Sequence, residues 1–393
     1  MYRFLALILG AFIPSQPLCA LTLSDLNSSS INGGVAIVSA ADGSAMTMLT
    51  LHPDLGLSSF KLGLDVNVLL DPAKQPASYQ PVVVRFVEYD DGGFGVAYGL
   101  LKGITYGYGL LMSSYGTAQS GQSVFTPEQA GIKVYTKWFQ PLGIYVLSTN
   151  SSLVSLRVTE ALSNDFFFGH PLIAGQTYVY DRDGVVTGAG TRLGSDQGAL
   201  GADIGVPMIE GQWDIFTEYA LLNNFGSGFS AGTRYKLSEM FDASIAYQIL
   251  NGRFVPAYFN STYEDAPTDL TSVTSSDKAG WFGSLGANVM DFVRIEGSYA
   301  SYTTGSGAKS DTLQLSAVVR EINGISGVAT YAQPNFSGLS SLSSNNATLK
   351  TDVSYRLNNY SKLIVHYSKV YVSSVQVDVS YSTEIVFNLP VSF

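Results

Sequence analysis

Residues 375–393 read VQVDVSYSTEIVFNLPVSF, and this stretch decides the fold. Apolar residues stand at every second position, and only Thr383 interrupts the row. Polar residues fill most of the positions between them. A period of two over this length predicts a strand with one apolar and one polar face. The predicted strand is longer than the roughly five or six residues usual in globular proteins, and its length suits a tilted crossing of a bilayer.

The end of this strand carries a recognisable pattern. The chain stops on an aromatic residue, and apolar residues precede it at alternate positions: Ile385, Phe387, Leu389, Val391 and Phe393. This ending resembles the C-terminal signature of bacterial outer-membrane β-barrel proteins. The resemblance implies a porin-like barrel that the outer-membrane barrel assembly machinery inserts among outer-membrane lipids. Pro390 removes one backbone donor, but it stands near the end of the strand, where this is tolerated.

Residues 1–20 have the composition of a secretory signal. Arg3 precedes an apolar run at 4–13, which is too short to span a bilayer as a helix. We expect cleavage after Ala20 and a polar periplasmic lead-in at 21–33. A lipoprotein signal at Cys19 is the alternative, although the residues before it fit a lipid-attachment box poorly. Cys19 is the single cysteine, so the mature chain is expected to hold no disulfide and no cysteine-based metal site.

The composition favours a barrel over helical membrane spans. Charged residues make up 13% and apolar residues 46% of the chain, yet no later stretch holds about eighteen consecutive apolar residues. In hydrocarbon the backbone groups must all be paired, and a closed sheet achieves this with alternating residues. The net charge of −10 argues against a nucleic-acid partner, because no basic stripe is present to neutralise phosphates. The acidic balance indicates solubility or a mild preference for cations.

The alternation continues along the rest of the chain, with connections of two lengths. Long polar connections at 251–279 and 333–346 are separated by tight ones at 290–292, 321–324 and 357–361. Short turns at one end and long loops at the other are typical of transmembrane barrels. We therefore predict an all-β, transmembrane, antiparallel up-and-down barrel over residues 34–393, with about 16 strands within a range of about 12–18. Residues 114–197 are less regular, and they belong either to the wall or to a plug or constriction.

Charged residues on the polar faces of these strands are the candidates for lining a pore. They alternate in sign from strand to strand, which has two interpretations. They orient polar solutes in a water-filled channel, or they pair across strands to keep charges in a narrow lumen satisfied. The predicted function is passive diffusion of small hydrophilic solutes, without a cofactor or metal, and homo-oligomerisation is left open. The candidates are Asp203, Asp214, Glu218, Arg234, Lys236, Asp242, Arg294, Glu296, Arg320, Lys350, Asp352 and Arg356.

Two other functions compete with the channel. A surface barrel could bind a ligand or host surface through aromatic and basic residues of an outer loop: Arg253, Phe254, Tyr258, Phe259 and Tyr263.

The second is catalysis by His366 and Ser368, oriented by Glu384. The His-x-Ser spacing resembles the catalytic pair of outer-membrane phospholipases and lipid A deacylases. However, Lys369 stands where that pattern has Asn, and the alternation turns His366 and Ser368 away from lipid. We therefore expect no enzyme.

Overall fold

The architecture comes from a computed structural model, which describes residues 30–39, 45–70, 81–101, 103–117, 130–139, 141–182, 184, 195–237, 240–261, 263–264, 267–289, 292–334, 336–338, 347–358, 361–371 and 377–389. The predicted signal peptide, most of the lead-in, and the final Val391 and Phe393 lie outside these ranges. Within them, no helix is long and apolar enough to cross a membrane.

Nearly every described residue belongs to a strand or to a short connection between strands. The strands are β1 (Ser30–Ser39), β2 (Ala45–Leu57), β3 (Phe60–Leu69), β4 (Val82–Asp90), β5 (Phe94–Gly99), β6 (Ile104–Tyr106), β7 (Met112–Tyr115), β8 (Gly131–Thr136), β9 (Leu142–Thr149), β10 (Leu153–Phe167), β11 (His170–Asp181), β12 (Gln197–Ile209), β13 (Trp213–Leu222), β14 (Gly226–Leu237), β15 (Phe241–Gly252), β16 (Lys278–Val289), β17 (Val293–Thr304), β18 (Lys309–Ile322), β19 (Ile325–Pro334), β20 (Thr348–Asn358), β21 (Ser361–Tyr371) and β22 (Val377–Leu389).

All strands except β6 and β7 form one 20-stranded antiparallel sheet. Each strand pairs with the next along the chain, and β5 pairs with β8 across the segment that holds β6 and β7. β22 pairs back onto β1, with Leu389 opposite Ile31. The pairing therefore runs in a ring in which every strand has a neighbour on both sides, as a closed barrel requires. This confirms the all-β, antiparallel, up-and-down prediction.

The number of strands is larger than predicted. Among the described residues the sheet has 20 strands, where about 16 within a range of about 12–18 were expected, because each strand with its connection uses fewer residues than that number implies. β1 begins at Ser30, just before residue 34, where the barrel was predicted to start. Within 114–197, the described residues contribute β8 to β11 to the wall.

The two faces of the wall differ as the alternation predicted. In β13, Ile215 and Tyr219 are exposed on the outer face, whereas Phe216 and Glu218 are buried on the inner face. Aromatic residues also recur on the outer face six positions apart, which is roughly 20 Å along a strand. They form two rows around this part of the wall, one near each end of the strands. The pairs are Trp213 and Tyr219, Phe229 and Tyr235, and Phe241 and Tyr247.

The inner face is filled on one side and accessible on the other. We call the inner faces of β9 to β15 the packed side, because their apolar residues are almost fully buried: Leu147, Leu153, Val179, Ala199, Ala220, Leu222 and Leu250. We call the inner faces of β17 to β21 the open side. On the open side an apolar side chain, that of Val328, is 40% exposed. The polar side chains of Gln314, Thr330 and Asp352 are exposed there as well. This asymmetry locates the candidate site.

Candidate functional site

A hairpin inside the barrel covers the packed side. Residues 103–117, which we call the inner hairpin, leave the wall after β5 and contain the two short paired strands β6 and β7. Leu110, Leu111, Met112 and Tyr115 of the hairpin are buried in one cluster with the apolar residues of the packed side. The apolar inner face of β9 to β15 is therefore a docking surface for this hairpin.

The tip of the inner hairpin rests on Glu218 of β13. The Oε2 atom of Glu218 accepts hydrogen bonds from the backbone N–H of Tyr108 at 3.2 Å and of Leu110 at 3.0 Å. Gly107 lies directly beside this carboxylate, in the left-handed conformation with φ of +61°. A Cβ atom at Gly107 would lie 2.6 Å from Oε1 of Glu218 and 3.0 Å from Oδ2 of Asp203, so a side chain there requires both carboxylates to move.

A buried ion pair lies next to this contact. Arg157 binds Asp203 through two hydrogen bonds, of 2.6 and 2.9 Å, and also donates to Thr177 at 2.9 Å. Two parallel bonds of this kind fix the orientation of both side chains. Ser155 donates a hydrogen bond to the hydroxyl of Tyr106 in β6 at 3.1 Å. Asp203 and Glu218, both predicted to line a pathway, therefore lie beneath the hairpin.

Tyr108 at the hairpin tip packs against side chains of β13 and β14. Its ring stacks on Phe216 with centroids 4.0 Å apart, and the guanidinium carbon of Arg234 lies 5.0 Å from its centroid. Arg234 in turn binds Asp214 at 2.7 Å. Burial, followed by the nearby charge of Asp214, raises the pKa of Tyr108 to about 12, so the phenol stays protonated.

A second segment holds the hairpin from the opposite side. Residues 253–261 and 263–264, which we call the strap, follow β15. The strap forms a parallel bridge between Phe259 and Met112. Backbone bonds run from Ser113 N to Phe259 O at 3.0 Å, from Ala257 N to Leu110 O at 2.7 Å, and from Phe259 N to Leu111 O at 3.2 Å. The inner hairpin follows β5 and the strap follows β15. Both strands run in the same direction as β1, so both segments enter the barrel from the end opposite the start of β1.

The aromatic residues of the strap are structural. Phe254, Tyr258, Phe259 and Tyr263 are each at most 2% exposed, and all pack in the cluster that holds the inner hairpin. They had been predicted as ligand-binding residues of an outer loop. Their burial removes them from the surface, and only Arg253 of that set is half-buried. The sequence showed that this loop is rich in aromatic residues but not that the barrel interior offers them a partner.

Hydroxyl groups of these aromatic residues satisfy buried polar groups nearby. Tyr263 donates to Oδ2 of Asp181 at 2.8 Å, and Tyr258 donates to the carbonyl of Gly184 at 3.1 Å. Tyr115 of the hairpin donates to Glu264 of the strap. Asp181 is fully buried, so the bond from Tyr263 also compensates for removing this side chain from water.

The open side carries accessible charges that are paired, and Asp242 at the start of β15 takes part in this pairing. Arg294 contacts Asp242 at 2.5 Å and Glu296 at 2.6 Å, and Nδ1 of His366 lies 2.8 Å from Oδ1 of Asp352. Arg356 and Lys362 both contact Glu321, the latter at 3.2 Å. The side chains in these groups are roughly a quarter to three fifths exposed. Pairing and accessibility thus coexist on this side of the barrel.

Glu321 is a residue of this surface that the sequence pattern missed. A register shift between Val319 and Ile322 inserts one extra residue into β18 opposite β19. Such a bulge changes the face on which the following side chains lie, so strict alternation misplaces them.

The predicted candidates therefore separate by position. Asp203 and Glu218 hold the hairpin, and Asp214 with Arg234 lies at its edge. The remaining eight are half-buried or exposed: Lys236, Asp242, Arg294, Glu296, Arg320, Lys350, Asp352 and Arg356. Of the predicted insertion signature, Ile385, Phe387 and Leu389 lie in β22 and face Val35, Gly33 and Ile31 of β1.

The residues considered for catalysis lie on the open side. His366 is oriented by Asp352, where the sequence suggested Glu384. The apolar and exposed Val365 lies on the other face of β21, so His366 is directed away from the outer surface. Among the described residues, no group of three or more His, Asp or Glu side chains is arranged to hold a metal ion.

Comparisons with known proteins give only distant likenesses. No protein-family model and no curated protein matches the chain. The crystal structure of Pseudomonas aeruginosa OccK5 (OpdH) is 12% identical, with 95% of this chain and 100% of that one covered and a TM-score of 0.42. Acinetobacter baumannii OccAB3 is 10% identical (92% and 96% covered, TM-score 0.33), and a mutant of Rh. blastica porin is 12% identical (92% and 99% covered, TM-score 0.32). Values this low carry no functional meaning for this chain.

Proposed function

We propose that this chain is a channel of the bacterial outer membrane, through which small hydrophilic solutes diffuse passively along the open side of the barrel. The observation that carries this proposal is the accessible inner face of β17 to β21. Polar and charged side chains there are solvated, whereas the packed side is filled by the inner hairpin. A barrel of this width cannot be filled by side chains of the wall alone.

The membrane setting is supported by the outer face and by the ring of strand pairing. Apolar side chains are exposed on that face in strand after strand, which is costly in water and favourable in hydrocarbon. The two aromatic rows suit the two membrane interfaces. The ring leaves no unpaired strand edge toward lipid. The expected signal sequence and the terminal signature agree with export to the outer membrane.

Acidic residues at the end of the barrel opposite the start of β1 support a mild cation preference. Asp269 and Asp277 lie in the connection after β15, and Asp311 lies near the start of β18. The Thr271 hydroxyl, together with backbone bonds from Thr271 and Ser272, lowers the pKa of Asp269 below its ordinary value, which keeps this carboxylate ionised. Negative charge at a pore mouth raises the local concentration of cations. Ion pairs on the open side moderate this effect, since they cancel most of the field inside.

Planar-bilayer recording tests the proposal. The purified, folded protein is expected to produce discrete current steps that are proportional to voltage, with a zero-current potential on the cation-selective side in a KCl gradient. Folding is checked by heat-modifiable migration in detergent gels. Protein that is folded by this measure but never conducts would contradict the channel.

A further inference from the structure

We propose that Glu218 is the positioning residue that holds the inner hairpin on the packed side and thereby sets the cross-section of the channel. The inference rests on the proposed function for its meaning, but its geometry is independent of conduction. Glu218 is 4% exposed and lies beneath the hairpin. Its role is to accept hydrogen bonds from the backbone of the hairpin tip.

The hairpin needs such a contact because its own structure is small. β6 and β7 have three and four residues and pair with each other, and one bridge and three backbone hydrogen bonds join the hairpin to the strap. An isolated two-stranded hairpin is at best marginally stable in water. The Tyr108 ring contacts Phe216 and Arg234, and Tyr106 accepts a hydrogen bond from Ser155. Among the described residues, however, the backbone hydrogen bonds from the hairpin tip to the wall both go to one side chain, Glu218.

Both bonds converge on a single oxygen. The N–H groups of Tyr108 and Leu110 point at Oε2, and Gly107 and Gly109 adopt positive φ values of +61° and +94° around them. Successive backbone N–H groups in such a turn form a concave site for an anionic or carbonyl oxygen. Recognition is therefore through the backbone, and an acceptor oxygen at this position is what the tip requires.

Removing the acceptor takes the partner from one buried N–H group, that of Leu110, and one partly buried N–H group, that of Tyr108. We expect this to shift the docking equilibrium about 10- to 100-fold toward a released hairpin. A released hairpin moves through the conducting space beside it. The current through an open channel should then become several-fold noisier, and solutes too large for the wild type should enter.

Three matched chains test the proposal: wild type, Glu218→Gln and Glu218→Leu. Both substitutions remove the charge and nearly preserve the volume, but only Gln keeps a carbonyl oxygen that can accept both bonds. Each chain also carries Leu111→Cys in a Cys19→Ser background. A water-soluble thiol reagent then reports exposure of the hairpin, because Leu111 is 1% exposed when docked.

We expect the thiol in the Glu218→Leu chain to react about 10- to 100-fold faster than in the wild type, with noisier currents, and Glu218→Gln to behave like the wild type. Equal labelling rates in folded wild type and Glu218→Leu would overturn the proposal. So would a Gln variant as reactive as the Leu variant, since the charge, and not the acceptor, would then hold the hairpin. If the labelling rates differ as expected but no chain conducts, the positioning role stands and the channel function fails.

Discussion

Gly107 determines how closely the inner hairpin can approach the wall. Its positive φ and its contact with two carboxylates are separate constraints, because the first is a property of the backbone and the second of the neighbouring side chains. Gly103 also has a positive φ, of +69°, but a Cβ atom there would meet no neighbouring side chain. The two glycines therefore separate backbone strain from steric exclusion.

Replacing Gly107 with Ala should release the hairpin more than replacing Gly103 with Ala. Both substitutions cost about 1–2 kcal/mol for the left-handed backbone, but only the one at Gly107 also displaces Glu218 and Asp203. The labelling rate of Leu111→Cys measures release in both backgrounds. Equal labelling rates in the two variants would show that Glu218 and Asp203 move aside at no cost in free energy.

Charges on the open side should control ion selectivity, and buried charges should not. Asp242 and Glu296 both pair with Arg294 at accessible positions, so Asp242→Asn combined with Glu296→Gln leaves Arg294 unneutralised beside the path. The zero-current potential in a KCl gradient should move toward anion preference. Glu218→Gln, which removes one buried charge, is the control and should leave the potential unchanged. If Glu218→Gln shifts the zero-current potential more than the double variant does, Glu218 lies on the path of the ions.

The strap is an element whose stability depends on a few buried hydroxyl groups. Tyr263→Phe removes one donor to the fully buried Asp181, which also accepts a hydrogen bond from Ser152, and the loss of a buried hydrogen bond to a carboxylate costs about 1–3 kcal/mol. Tyr299→Phe removes a similar bond, to Asp311, at an exposed position, where substitutions usually change stability by less than about 0.5 kcal/mol. The temperature at which the folded band disappears in detergent gels should fall for Tyr263→Phe and remain nearly constant for Tyr299→Phe.

The elements that could be predicted from the sequence are those whose pattern is local. β22 and the general alternation of the other long strands were recognised because a period of two is a property of neighbouring residues. β6 and β7 were missed, since three or four residues are too few to show a period, and their partners are distant in the chain. The burial of Tyr258 and the bulge that moves Glu321 depend on packing and register, which no short stretch encodes. The alternation identified charged residues as pore-lining candidates, but it could not show which of them the hairpin covers.

At the scale of the whole molecule, the interior of the barrel has a packed side and an open side. The inner hairpin and the strap fill the space beside β9 to β15, so the proposed solute path runs along the accessible inner face of β17 to β21. The path is therefore eccentric, and the wall contributes to it unequally. Position along the chain thus predicts whether a wall residue affects conduction, provided that its face is also known.

Single cysteines test this division. Val328→Cys is on the open side, and Val353→Cys, on the strand paired with it, is exposed on the outer face. A water-soluble thiol reagent should lower the current of the Val328 variant, because its adduct narrows the path, and should leave the Val353 variant unchanged. Leu153→Cys, fully buried on the packed side, should not react while the hairpin is docked. Current that is insensitive to modification at Val328, or a reactive thiol at Leu153 in the wild-type background, would show that solutes take another route through the barrel.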